Sequence, residues 1–161
     1  MTAAAIREKH DGGLDDRDNV RLWLRLLSCT MVIEKRVRRR LDDRFATTLP
    51  RFDVLAALDR NGAMTMGALS AALLVSKGNV TALVQTLKAE GLVVMTPSPT
   101  DKRASIVRLT PKGLTHFADM AEAHHRWIDA MLSGLTPEER AQLFALLGRL
   151  KTSIAAEEIP A

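Results

Sequence analysis

Between residues 76 and 113 the hydrophobic period changes twice, and this stretch constrains the fold more than any other. Val80, Leu83, Val84 and Leu87 recur at i, i+3, i+4 and i+7, the stripe of an amphipathic helix. Ser76 stands where an N-cap belongs, and Gly91 closes the run. The segments 92–96 (LVVMT) and 105–109 (SIVRL) are short and rich in β-branched residues. They flank a turn segment, Pro97 to Arg103, and so predict a β-hairpin with a long tip. Thr110 followed by Pro111 then starts a new helix as N-cap and first helical residue.

The surrounding sequence is helical. Residues 15–45 contain neither Pro nor Gly, place Asp15, Asp16 and Asp18 at the start, and gather Arg38, Arg39, Arg40 and Arg44 near the end. That order complements a helix dipole. Val20, Leu24, Leu27 and Met31 mark its apolar side. A helix of about 30 residues is too long for a small chain to cover fully, so part of its apolar surface is expected to meet another chain. Thr48 is the expected cap of a second helix, with Pro50 in its first turn and Asn61-Gly62 as its stop. Met64-Thr65 is read as a short extended link, and Met66–Leu74 as a third helix. After Thr110 the residues Leu114, Phe117, Ala118, Ala121, His125, Ile128 and Leu132 keep a near-heptad spacing. Thr136-Pro137-Glu138-Glu139 is a capping box opening a last helix, whose stripe is Leu143, Leu146, Leu147, Leu150 and Ile154. Residues 1–14, ending in a Gly pair, read as a flexible tail.

Two short helices followed at once by a hairpin suggest a winged helix-turn-helix, whose second helix enters the major groove. Here Lys77 reaches guanine acceptors, Asn79 pairs with adenine, and the Ser76 cap favours a phosphate. With Val80 on the buried stripe, Gly78, Ala82 and Gln85 face the other way, and the two small residues allow close approach to DNA. Lys102 and Arg103 at the hairpin tip suit a narrow, electronegative minor groove, with Asp101 holding the Arg103 guanidinium. Each feature alone is the ordinary look of a solvated face; their adjacency makes the case for DNA. The net charge of +4 is compatible with such a partner, while 4% aromatic residues and no Tyr argue against stacking of single strands.

The stretch from Met66-Gly67-Ala68-Leu69-Ser70 through Ser76-Lys77-Gly78-Asn79-Val80-Thr81 to Glu90-Gly91-Leu92-Val93 resembles the MarR family of bacterial transcription regulators. So does the wing Pro99-Thr100-Asp101-Lys102-Arg103 with the following Leu109-Thr110-Pro111-Lys112-Gly113, which is the most specific part. Leu49-Pro50-Arg51-Phe52-Asp53-Val54-Leu55 matches upstream. The resemblance implies a mainly α winged-helix homodimer in the cytoplasm that binds a pseudo-palindromic double-stranded operator, usually as a repressor released by a small ligand. It maps base-reading positions onto Ser76, Lys77, Asn79, Thr81 and Gln85, and wing contacts onto Asp101, Lys102 and Arg103. It also implies dimerisation through residues 15–47 and 111–158, with the DNA-binding domain at 48–110. An effector cleft is implied between these parts, with Trp23, Arg25, Arg51, Phe52 and His116 as candidate lining.

The run Lys35, Arg36, Arg38, Arg39, Arg40, Arg44 puts six cations in ten residues, suited either to DNA phosphates or to an anionic effector such as an aromatic carboxylate or a coenzyme A thioester. A redox switch at Cys29 is the weaker reading. Peroxide-sensing relatives place their cysteine about a turn earlier with tyrosines nearby, so Cys29 is expected as a small buried residue. His116, His124 and His125 with Asp119 and Glu122 give only pairwise zinc spacing, so no metal and no cofactor is expected. No nucleophile elbow or phosphate loop points to an enzyme, and no apolar run is long enough for a membrane span. A helical protein-interaction module is the remaining alternative.

Overall fold

The computed structural model describes residues 18–99 and 104–157. The chain falls into two compact units, Met1–His125 and Arg126–Ala161. The first unit opens with α1 (Asp18–Phe45) and α2 (Leu49–Asn61), followed by strand β1 (Met64–Thr65). Helices α3 (Met66–Leu73) and α4 (Lys77–Ala89) come next, then β2 (Val93–Pro97) and β3 (Ser105–Leu109). Helix α5 (Pro111–Leu132) runs from the first unit into the second, which also holds α6 (Pro137–Ala156).

The caps show why the helices start where they do. Ser76 accepts a hydrogen bond from the backbone N–H of Asn79 at 3.4 Å, and Thr65 accepts one from Ala68 at 3.2 Å. Thr136 and Glu139 form a reciprocal capping box. Thr48 occupies the N-cap of α2 in extended backbone, but its hydroxyl accepts no backbone N–H; Pro50 fixes the first turn instead. Thr110 caps α5 by accepting from Gly113 N at 3.0 Å, and the same hydroxyl donates to the carbonyl of Gly91 at 2.7 Å.

Met64-Thr65, read from sequence as a link, is a strand. It pairs antiparallel with β3, Met64 opposite Val107, so the sheet has three strands in the order β1-β3-β2. Two residues carry no period, so only the neighbour reveals such a strand. The hairpin register runs Val93↔Leu109 to Pro97↔Ser105, and Ser98 N–H to the Ala104 carbonyl at 2.8 Å extends it.

The core of the first unit gathers Leu41 of α1, Val54, Leu55 and Leu58 of α2, and Leu69 of α3. Val80, Val84 and Leu87 of α4, Val107 of β3 and Met120 of α5 complete it. The buried side of α5 is Gly113, Phe117, Met120 and Ala123, whereas Leu114 and Ala118 are exposed. The heptad expected to include Leu114 and Ala118 is therefore displaced. The cause is Gly113, where an added Cβ would lie 2.0 Å from the Leu92 carbonyl oxygen. That close approach turns the glycine edge of α5 inward and carries Leu114 out. In α6, described by itself, no residue is buried.

Candidate functional site

Helix α4 separates its two faces as its spacing demands. Val80, Val84 and Leu87 are fully buried, while Lys77, Gly78, Asn79, Thr81, Ala82 and Gln85 are all exposed. The exposed set thus forms one polar face beginning at the Ser76 cap. The Thr81 hydroxyl donates back to the Lys77 carbonyl at 2.8 Å, which fixes its rotamer and leaves its lone pairs outward. Gln85 leans toward the hairpin, its Nε2 3.8 Å from the sulfur of Met95. Asp101, Lys102 and Arg103 lie outside the described residues.

Just ahead of this helix stands a residue that sequence reasoning missed. Leu74 caps the C-terminus of α3 in the left-handed region, φ 54°, and is 92% exposed. A leucine there carries both backbone strain and unburied apolar surface.

Of the five candidate effector residues, the structure brings Arg51 and His116 together. They line a cavity of about 260 Å³ with Phe45, Ala46, Thr47, Glu90, Leu92 and Lys112. Arg51 Nη2 forms an ion pair with Glu90 Oε2, and Lys112 Nζ donates to the Glu90 backbone carbonyl at 2.8 Å. Arg51 Nε is buried with no hydrogen-bond partner among the described residues. Glu90 and Lys112 fall in the stretches that carry the family resemblance, but no spacing placed them at this cavity, since their partners lie 39 and 22 residues away.

The other three candidates are placed elsewhere. Phe52 is buried, its ring 5.5 Å from Phe117 and 4.9 Å from His124, so it packs the α2–α5 contact rather than lining the cavity. Burial holds the His124 imidazole below the ordinary histidine range, and its neighbour His125 adds to the effect. Trp23 and Arg25 sit near the start of α1, while Phe45, at its end, lines the cavity. Twenty-two residues of helix separate Trp23 from Phe45, roughly 33 Å along the axis. Within one chain Trp23 and Arg25 cannot share this cavity, since helix length forbids it.

Lys35, Arg38 and Arg39 line a wider groove of about 680 Å³ together with Glu34, Asp42 and Leu49. Arg38 donates from both Nε and Nη2 to Glu34, so this one cation of the run is paired within the helix. On the other side of Arg38, Asp53 is pushed above the usual carboxylate range by burial; the Arg38 charge opposes that rise and Glu34 adds to it.

Cys29 is exposed on α1, not buried as expected, because none of the described residues covers that face. No group of three or more His, Cys, Asp or Glu among the described residues could hold a metal ion. Nor is any single described helix long and apolar enough to cross a membrane.

Comparison with known proteins agrees with this geometry. A profile described as the MarR family matches residues 47–104, the segment from the α1–α2 turn to the residue before β3. The HTH-type transcriptional regulator MhqR of Bacillus subtilis is 30% identical over 99 residues, which are 62% of this chain and 68% of MhqR. The HTH-type transcriptional repressor IacR of Pseudomonas putida is 31% identical over 99 residues, 62% of this chain and 59% of IacR. The match spans about three fifths of the length of several such curated relatives, from 59% to 62%. Among solved structures, BpsR of Bordetella bronchiseptica superposes with a TM-score of 0.72 at 25% identity, covering 87% of this chain and 98% of BpsR. That work describes regulation of BpsR DNA binding by 6-hydroxynicotinic acid. On the MhqR match, and with the helix-turn-helix and hairpin in place, the chain belongs to the MarR family.

Proposed function

We propose that this chain is a sequence-specific DNA-binding repressor that acts as a homodimer on a pseudo-palindromic operator and is released by a small anionic aromatic compound or its coenzyme A thioester. The observation that carries the DNA reading is the clean division of α4. Three fully buried residues hold its inner face, so the outer face from Ser76 to Gln85 is rigidly presented for base contact. In this reading Lys77 and Asn79 read base edges, Ser76 and Thr81 hold phosphates, Gln85 borders the wing, and Asp101, Lys102 and Arg103 serve the flanking minor groove.

Dimerisation is assigned to 15–47 and 111–158, with 48–110 as the DNA-binding part. It is supported by apolar side chains left exposed on α1 (Val20, Leu22, Trp23, Met31) and on α6 (Leu143, Phe144, Leu146, Leu150, Ile154). Such a quantity of unburied apolar surface is unusual in a monomer. The effector reading is supported by the cavity holding Arg51, Lys112 and His116, a donor set suited to carboxylate or phosphate. BpsR, regulated by an aromatic acid, shows the same fold. Selection of operator sites from random duplex DNA tests the function. The expected result is an inverted repeat, with half-sites about one helical turn apart, bound by a dimer in light scattering. A monomer without sequence preference would refute it.

A further inference from the structure

The C-terminal end of the recognition helix is held by a device that also belongs to the cavity. Glu90 follows directly on α4 and is fastened twice: its side chain to Arg51 of α2, its backbone carbonyl to Lys112 of α5. A carboxylate at a helix C-terminus faces the negative end of the helix dipole. Glu90 therefore stays there because Arg51 and Lys112 hold it. One residue further, Gly91 takes φ +72°, a conformation that suits glycine. Beyond it, Leu92 is pinned independently: its carbonyl accepts from the Thr110 backbone N–H at 3.0 Å and lies against Gly113. Before Gly91 the ion pair adds to backbone bonds, from Glu90 N–H to the Thr86 carbonyl at 3.1 Å and from Gly91 N–H to the Lys88 carbonyl at 2.9 Å.

Arg51 is also incompletely used. Only Nη2 meets Glu90, while Nε is buried without a hydrogen-bond partner. A buried donor left unmade is costly, and a planar carboxylate lying along the Nε–Nη2 edge would satisfy both donors in a fork. Resting on the reading of this cavity as an anion site, we propose that Glu90 is the internal carboxylate of that site. An incoming aromatic carboxylate takes Arg51 in the forked geometry, expels Glu90, and so removes the ion pair that ties the C-terminal end of α4 to α2. The binding energy spent on expelling Glu90 is the energy that couples ligand to DNA release.

Benzoate is the probe, used with the full-length chain and its selected operator. Glu90→Gln removes the competing charge, so it is expected to bind benzoate at least tenfold more tightly than the parent. Benzoate should then change its operator affinity far less than it changes the parent's, because the latch is already open. Arg51→Gln should bind no benzoate. If Glu90→Gln binds benzoate no more tightly and is still released from DNA by it, the latch is refuted while the site stands. If Arg51→Gln binds benzoate as the parent does, the anion site itself is refuted. Absence of benzoate binding to both parent and Glu90→Gln refutes the latch as well, since removing the competitor should open the site. Thermal unfolding of each variant confirms that the comparison is between folded proteins.

Discussion

Helices α4 and α6 carry nearly the same apolar spacing and meet opposite fates. The stripe of α4 has Val80, Val84 and Leu87 fully buried within its own chain. The stripe of α6 leaves Leu143, Leu146, Leu147, Leu150 and Ile154 exposed, and Phe144 is 82% exposed. Periodicity therefore states that a helix has an apolar side, not what covers it. For α4 the cover is α2, α3 and β2 of the same chain. For α6 we assign it to a second copy. The stability of the first should be a property of the chain, and that of the second a property of its concentration.

Substitutions can break this contrast. The largest effect is expected in the α4 core: Leu87→Ala should cost about 2–5 kcal/mol in chemical denaturation, independent of protein concentration. Leu147→Asp should instead weaken self-association on the order of a hundredfold, about 2.8 kcal/mol, as read by sedimentation of a dilution series. Secondary structure should survive by circular dichroism. Should Leu147→Asp remain dimeric, α6 does not supply the interface.

The exposed side of α4 and the wing are sharpened by smaller changes. Arg103→Ala should weaken operator binding by about 1–3 kcal/mol at unchanged dimerisation. Asn79→Ala should relax preference at one base position per half-site, visible as a changed selection logo. An unchanged logo would assign Asn79 to phosphate.

The smallest effect concerns pH. The folded state holds His124 below the ordinary histidine pKa, so the unfolded chain binds the proton more readily. That stabilising contribution is complete above the unfolded value near 6.5 and is lost as pH falls from there toward the folded value. Thermal unfolding from pH 8 to pH 5 should show the loss, and His124→Phe, which keeps a ring against Phe52, should lessen it.

Much of the architecture was legible because its signals are local. Ser76, Thr110 and Thr136, each read as a cap, bond to backbone N–H groups three positions on. The α4 stripe and the β-branched runs 92–96 and 105–109 announce their own periods, and the strands form at Val93–Pro97 and Ser105–Leu109. The polar face of α4 was legible for the same reason: once the buried side is known, the helix period assigns the other. The wing residues 101–103 were singled out by sequence alone.

What tertiary structure decided depends on residues far apart in the chain. The strand at Met64-Thr65 exists because β3 supplies its partner. Phe52 became core rather than cleft because Phe117 and His124 fold over it. Trp23 and Arg25 were separated from Arg51 by the rigid length of α1. Glu90 joined the cavity through an ion pair that no spacing rule anticipates. Local hydrogen bonds and periodicity act over a few residues, so the amino-acid sequence by itself determined the helices, the hairpin, the Ser76 and Thr136 caps and the polar face of α4. Which side chains share a cavity is decided by packing between elements distant in sequence, and that only the assembled fold supplies.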